Sequence, residues 1–87
     1  MEYYWVITKD RIYDPKIDEH GNQGTSQGNI QLMLDKVNPS RFSLYDGDNQ
    51  CYYEGIIYGD YNGFEPQDDF GGPNDGCVST KINGEWL

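Results

Sequence analysis

One stretch, residues 42–58, constrains the fold of this chain more than any other. Two runs of alternating apolar and polar residues, rich in aromatic and β-branched side chains, flank an Asp-Gly-Asp-Asn centre. Asp, Gly and Asn tolerate the left-handed backbone angles of tight turns, so the pattern predicts a β-hairpin. Gly55 falls within the second strand, which indicates a bulge or close packing by another group at that position.

Two other regions alternate in the same way. Residues 3–7 carry aromatic and β-branched side chains with apolar residues on both faces, which is typical of a strand in the interior of a sheet. Residues 78–82 alternate up to Asn83 and Gly84, a pair that favours a hairpin turn, after which Trp86 returns. These regions and the hairpin together predict a small antiparallel sheet.

The connecting segments are polar and rich in turn-forming residues. Residues 14–28 lose all periodicity, which predicts a long polar loop. In residues 59–76, Pro66 favours a single helical turn over residues 67–70, and we expect the glycines and proline at 71–73 to end it.

Four apolar residues have the spacing that places them on one side of a helix: Ile30, Met33, Leu34 and Val37. Asn29 is the predicted N-cap, and Asn38 before Pro39 is predicted to end the helix. Since so short a helix is not stable alone, we expect its apolar side to pack on the sheet. The prediction is one small acidic α+β domain over residues 1–87: an antiparallel sheet of four to five strands with one short helix packed on a face.

The core of this domain must be thin, because a chain of 87 residues buries only about 60 to 65% of its unfolded surface. Aromatic residues make up 15% of the chain and supply much of the apolar area, which favours a folded protein over a disordered one. Cys51 and Cys77 are too few for a disulfide framework and form no metal-binding spacing. Two free, partly buried thiols are favoured over a single bridge.

The net charge of −9 is distributed unevenly along the chain. Residues 1–43 hold six acidic and five basic residues, whereas residues 44–87 hold nine acidic residues and Lys81 alone. A protein this acidic repels nucleic acid, so we expect no direct nucleic-acid binding and favour basic proteins or cations as partners. The first ten residues lack the basic region and long apolar run of a signal peptide or a membrane span. A cytoplasmic protein without membrane contact is the expectation.

No catalytic or cofactor pattern stands out, so the expectation is a non-enzyme without a cofactor. His20 lies in a polar loop without a nearby nucleophile, and Asp68 and Asp69 are adjacent residues that usually point apart. The glycines at 71–76 do not follow the order of a phosphate-binding loop. The turn at residues 46–49 begins like an EF-hand loop, but Cys51 and Ile57 occupy the positions that need Gly and a bidentate Glu.

The acidic part of the chain also carries more tyrosines than a thin core can hold. Spaced carboxylates resemble a row of phosphates, and exposed tyrosines give a basic protein flat surfaces to bind. We therefore predict a non-enzymatic interaction protein that occupies the nucleic-acid site of a basic protein by DNA mimicry, as an anti-defence inhibitor or an immunity partner would. The predicted partner-binding residues are Asp46, Asp48, Glu54, Tyr58, Asp60, Tyr61, Glu65, Asp68, Asp69 and Asp75.

Three alternatives remain open. One is a divalent-cation site, for calcium or a similar ion, built on Asp46, Asp48 and the carboxylates of residues 60–75. Another is a structural or accessory role, or an uncharacterised enzyme, which would need a deep pocket with converging titratable groups. The third is an acidic face that serves solubility and has no specific partner.

Two stretches carry a resemblance to a known family. The sequences Phe-Ser-Leu-Tyr-Asp-Gly-Asp-Asn-Gln-Cys-Tyr-Tyr-Glu-Gly at 42–55 and Asp-Asp-Phe-Gly-Gly-Pro-Asn-Asp-Gly-Cys at 68–77 resemble the signatures of a family of small uncharacterised bacterial proteins. The turn departs from that family's Leu-Tyr-Asp-Asp-Asp-Gly pattern at Gly47 and Asn49, and Gln67 replaces a Leu. The resemblance covers about half of the chain and implies a fold but no catalytic residue. In size and acidity alone, the chain is also similar to phage-encoded inhibitors of bacterial defence enzymes, including anti-CRISPR proteins.

Overall fold

The computed structural model describes residues 2–11 and 29–87. Five strands form one antiparallel sheet in the order β1-β3-β2-β4-β5, which confirms the predicted α+β fold with a five-stranded sheet and a short helix. The predicted loop at residues 14–28, with His20, lies outside the described residues. The elements are β1 Tyr3–Asp10, α1 Gln31–Leu34, β2 Ser40–Tyr45, β3 Cys51–Gly59, a π-helical turn Gln67–Gly71, α2 Gly72–Asp75, β4 Ser79–Ile82 and β5 Glu85–Trp86.

The predicted hairpin is present as β2 and β3, and all of β2 pairs with residues 51–57 of β3 in the interior of the sheet. Asp46 Oδ1 accepts hydrogen bonds from the backbone N–H groups of Asp48 and Gln50 at 2.9 and 2.8 Å. Asn49 adopts a left-handed conformation with φ of 61°. The Asp46 side chain therefore stabilises the turn by accepting backbone hydrogen bonds, and Asn49 supplies the left-handed residue that the turn needs.

Gly55 is closely packed, as its position within a strand predicted. A Cβ atom at this residue would lie 2.2 Å from the carbonyl oxygen of Val6 and 2.4 Å from Cζ of Phe42. The glycine therefore lets the Phe42 ring approach the backbone of β3.

The interior position expected for the first strand was wrong. In the sheet formed by the described residues, β1 is an edge strand and β3 lies between β1 and β2. The prediction of an interior strand was based on the apolar residues on both faces of β1, but these residues do not require a neighbouring strand on each side. Tyr4 is buried as well as Trp5, although neighbouring residues of a strand point to opposite faces.

The core lies on one face of the sheet, which we call the covered face. It contains the buried side chains of Trp5, Ile7, Phe42, Leu44, Tyr53 and Ile57. The π-helical turn and α2, together called the helical segment, pack over this face. The Phe70 ring lies 5.7 Å from the Trp5 ring and 5.0 Å from the Tyr53 ring. We call the other side of the sheet, which carries Glu54, Ile56 and Tyr58 of β3, the open face.

The predicted apolar side of the first helix was wrong. Ile30, Leu34 and Val37 are 51, 61 and 40% exposed, and Leu32 instead contacts Gly59 at the end of β3. The helix ends early because Lys36 is left-handed, with φ of 52°, and the carbonyl of Val37 accepts a hydrogen bond from the backbone of β3. Its start is closer to the prediction, since Asn29 Oδ1 accepts a hydrogen bond from the Gln31 N–H at 3.0 Å.

The helical segment also continues beyond its predicted end. The Gly72 N–H bonds to the carbonyl of Gln67, and Pro73 lies in the first turn of α2, where its missing N–H costs no helical hydrogen bond. The segment ends at Gly76, whose φ of 69° is the left-handed conformation that glycine adopts without strain.

Both cysteines are free, as favoured from the sequence. Cys51 is half-buried and Cys77 is buried. Burial, and then the negative charges of Asp75 and Asp46, raise the pKa of the Cys77 thiol to about 11. The Cys77 thiol is therefore a neutral core residue at physiological pH.

Candidate partner-binding surface

The ten predicted partner-binding residues do not form one continuous surface. Asp46 and Asp48 lie at the hairpin turn, and Asp60 and Tyr61 follow the other end of β3. Because β3 has nine residues, its two ends lie about 26 Å apart. Glu54 and Tyr58 belong to the open face, whereas Glu65, Asp68, Asp69 and Asp75 belong to the helical segment or immediately precede it.

Asp69 is held against the aromatic residues of β1. Its Oδ2 atom accepts hydrogen bonds from the Tyr3 hydroxyl at 2.7 Å and from the Trp5 indole N–H at 3.0 Å. The bond to Asp69, then burial, and then the charges of Asp69, Glu65 and Asp68 raise the pKa of Tyr3 to about 12. Asp69 therefore joins the helical segment to the edge of the sheet.

Glu65 is a buried carboxylate, only 7% exposed. Its two oxygens accept backbone hydrogen bonds from Asn62 at 2.9 Å and from Gly63 at 2.8 Å. Gly63 adopts φ of 109°, a conformation that side chains disfavour. Glu65 thus stabilises the turn before the helical segment and has little surface to offer a partner.

Three more predicted residues also form internal hydrogen bonds. Asp75 accepts a hydrogen bond from the hydroxyl of Tyr53. Tyr61 donates to the carbonyl of Asn38 at 2.8 Å. The backbone hydrogen bond from Gln50 lowers the pKa of Asp46, which is also bonded to Tyr52 and to the backbone of Asp48. These side chains contribute to the fold whether or not they contact a partner.

Asp48, Asp60 and Asp68 differ from this group because their carboxylates are exposed. Within residues 2–11 and 29–87, the only ion pair joins Arg11 to Glu54, so none of the three is neutralised by a described base. Asp60 and Asp68 each lie near the start of β1. The Asp60 N–H bonds to the carbonyl of Glu2, the residue before Tyr3, and the charge of Asp68 acts on the Tyr3 hydroxyl. We call the exposed residues Glu2, Asp60, Asp68 and Asp69 the Tyr3 acidic cluster.

Lys81, the one base of residues 44–87, lies on the open face. Its Nζ atom is 4.6 Å from the centre of the Trp86 ring and 5.4 Å from that of the Tyr45 ring. The Lys81 ammonium group therefore makes cation–π contacts on the side of the sheet opposite the helical segment. The sequence shows Lys81 as an isolated base, but no local pattern indicates which face of the sheet carries it.

Several carboxylates considered for a divalent-cation site or for acid–base chemistry already accept hydrogen bonds within the described fold. Among the described residues, no group of three or more His, Cys, Asp or Glu side chains could hold a metal ion. At the turn, Asp46 Oδ1 is already bonded to two backbone N–H groups. The Asp69 carboxylate likewise already accepts hydrogen bonds from the Tyr3 hydroxyl and the Trp5 indole N–H.

Comparisons of the chain with protein-family models, with curated proteins and with solved structures gave no significant match. The resemblance to small bacterial proteins and the compositional similarity to anti-CRISPR proteins therefore stay predictions. Among the described residues, no helix is long and apolar enough to cross a membrane.

Proposed function

We propose that this chain is a non-enzymatic interaction protein that binds a basic protein through the Tyr3 acidic cluster. The observation that carries the proposal is the exposure of Asp60 and Asp68, neither of which is paired with a described base, together with a helical segment of residues 67–75 that contains no base. Carboxylates in this arrangement attract a basic surface and accelerate its association.

The partner class that fits best is a basic protein that binds nucleic acid, with the carboxylates taking the place of phosphates. The bonds of Asp69 to Tyr3 and Trp5, and of Asp75 to Tyr53, fix the helical segment to the sheet. Charges on a fixed scaffold need less ordering when the partner binds, which favours affinity. An anti-defence inhibitor or a toxin's immunity partner would act by this mimicry.

The test combines partner capture with charge reversal. Proteins captured from a lysate at low salt are eluted by salt, identified, and then titrated with this protein in the presence and absence of competing DNA. We expect basic nucleic-acid-binding proteins that DNA displaces, with affinity falling as salt rises. The double variant Asp60→Lys with Asp68→Lys should bind at least about tenfold more weakly, since each reversal replaces attraction by repulsion.

Asp48→Lys is the matched control. Asp48 is an equally exposed carboxylate but lies at the hairpin turn, far from Asp60. Asp69 is left unchanged because its reversal would also break the bonds to Tyr3 and Trp5. Affinity that is indifferent to salt, or that falls equally in the control and the double variant, would contradict binding through the Tyr3 acidic cluster.

A further inference from the structure

A row of side chains crosses the open face from one edge of the sheet to the other. Lys9 of β1 lies opposite Glu54 of β3, which lies opposite Ser43 of β2. Ser43 pairs in turn with Lys81 of β4, and Lys81 pairs with Trp86 of β5. Directly opposed residues of antiparallel strands share a face, and neighbouring strands lie about 4.8 Å apart, so the row is about 19 Å long.

Basic side chains dominate this face. Besides Lys9 and Lys81 in the row, Arg41 lies on the same side of β2, two residues before the row. Arg11 reaches the face through its 2.6 Å ion pair with Glu54. Glu54 is the one acidic side chain that the register of the described strands assigns to the open face. Among the described residues, these four bases and one acid make the open face locally cationic in a protein whose net charge is −9.

Exposed aromatic surface lies at the β5 end of the row. Trp86 is 51% exposed, and its ring centre lies 4.7 Å from that of Tyr45 on the same face. Lys81 lies over both rings, so a cation and a flat aromatic surface are presented together. Nearer β1, a shallow cavity of about 300 Å³ is lined by Thr8, Arg41, Phe42, Glu54, Gly55 and Ile56.

The net charge of the protein does not describe this face, because the charges are separated in space. Asp68 and Asp69 belong to the helical segment, which packs on the covered face. Packed layers are separated by about 10 Å, and the Debye length at physiological ionic strength is about 8 Å. An anion on the open face therefore interacts mainly with the nearby bases, while the carboxylates beyond the sheet are partly screened.

We propose that the open face binds single-stranded nucleic acid, which reverses the expectation, drawn from the net charge alone, that the chain does not bind nucleic acid directly. Lys9, Arg41 and Lys81 contact phosphates along the row, and the exposed ring of Trp86 stacks on a base. An acidic peptide would meet the same cations but gives Trp86 no flat surface to stack on. Duplexes keep their bases stacked inside, so an unpaired strand is the form that Trp86 can reach.

The test is a titration of the full chain with a fluorescent thymidine oligonucleotide at low salt, followed by anisotropy. Polyglutamate and polyphosphate serve as probes that carry charge but no bases. We expect the oligonucleotide to bind at least about fivefold more tightly than either, since stacking adds to charge attraction. Three phosphate contacts on a single strand predict that log affinity falls against log salt with a slope of about −2. Trp86 fluorescence should be quenched, and Trp5, only 2% exposed, serves as the unquenched reference.

Variants of exposed side chains identify the surface. Trp86→Ala should weaken oligonucleotide binding by about tenfold, and Arg41→Glu with Lys81→Glu should abolish it, whereas Lys81→Arg should retain it. Circular dichroism shows whether each variant is folded, and Lys81→Arg keeps the proposal testable if the charge reversals disturb the sheet. Asp60→Lys with Asp68→Lys should leave oligonucleotide binding equal or stronger, so failure of the acidic-cluster proposal and failure of this one are distinguishable.

Three results would overturn the proposal: no binding by the wild-type chain, equal binding of polyglutamate, or unchanged oligonucleotide binding by folded Trp86→Ala and Arg41→Glu, Lys81→Glu variants. Equal binding of polyglutamate would assign the face to acidic peptides instead.

Discussion

The two faces of the sheet are built from alternate residues of the same strands, yet they differ in nearly every respect. The covered face buries Trp5, Phe42 and Tyr53 beneath a helical segment whose side chains include no base. The open face carries Lys9, Arg11, Arg41 and Lys81 with Glu54. Acidic and basic residues are therefore separated between the two faces of the sheet as well as along the chain. The separation between the faces says more about what each surface can bind than the separation along the chain does.

The acidic residues between positions 60 and 75 also differ among themselves. Glu65, Asp69 and Asp75 are hydrogen-bonded within the fold, whereas Asp60 and Asp68 are exposed and have no ion-pair partner among the described residues. Some carboxylates of this acidic protein thus stabilise the fold, and others are available to a partner. Substitutions of adjacent residues can separate the two roles.

The largest expected effect compares Ile57 with Ile56, which are neighbours on β3 with side chains on opposite faces. Ile57 is fully buried on the covered face and Ile56 is half-buried on the open face. Ile57→Ala should lower the free energy of unfolding by about 2 to 5 kcal/mol, because it leaves a cavity in the core. Ile56→Ala should cost less than half as much, as measured by urea denaturation. Equal losses would mean that the open face is a second core surface.

A smaller effect is expected for Asp69, with Asp68 as its matched neighbour on the helical segment. Asp69→Ala removes the acceptor of the bonds from Tyr3 and Trp5, and hydrogen bonds to a charged group contribute about 1.5 to 3 kcal/mol. Allowing for the exposure of the Tyr3 bond, we expect a loss of about 1 to 2 kcal/mol. Asp68→Ala should change stability by less than about 0.5 kcal/mol. Equal values for the two variants in urea denaturation would show that Asp69 does not join the layers.

The smallest effect concerns pH and the Tyr3 hydroxyl. Its pKa is raised from 10.0 to about 12 in the folded protein, so the folded state retains the proton more strongly than the unfolded state. The stabilisation linked to this proton is complete below the unfolded pKa of 10.0 and is lost as pH rises from there through about 12. NMR titration of labelled tyrosine should show Tyr3 ionising near 12 in the wild type and closer to 10.0 in Asp69→Asn. An unchanged Tyr3 pKa in that variant would assign the shift to burial.

Much of the fold was predictable because its signals are local. The alternation within residues 42–58 and the Asp and Asn residues of the turn specify the hairpin whatever else is nearby, and the observed β2 and β3 match that prediction. The apolar side of α1 was predicted wrongly because four residues of helix are too few for periodicity to decide which side packs. Pro73 was expected to end the helical segment, but its effect depends on its position within the first turn of α2.

The candidate surfaces were predictable only in part. The sequence by itself determined the total charge, its concentration after residue 43, the hairpin and the strand alternation, because each depends on composition or on neighbours along the chain. Only the tertiary structure decided which carboxylates are bonded internally, since Asp69 and Tyr3 are 66 positions apart. It likewise aligned Lys9, Glu54, Ser43, Lys81 and Trp86 in one row, because strand order and register are set by packing between distant segments. Folding thus separates charge across the sheet, with Asp68 and Asp69 on the helical segment that packs on the covered face and Lys9, Arg41 and Lys81 on the open face.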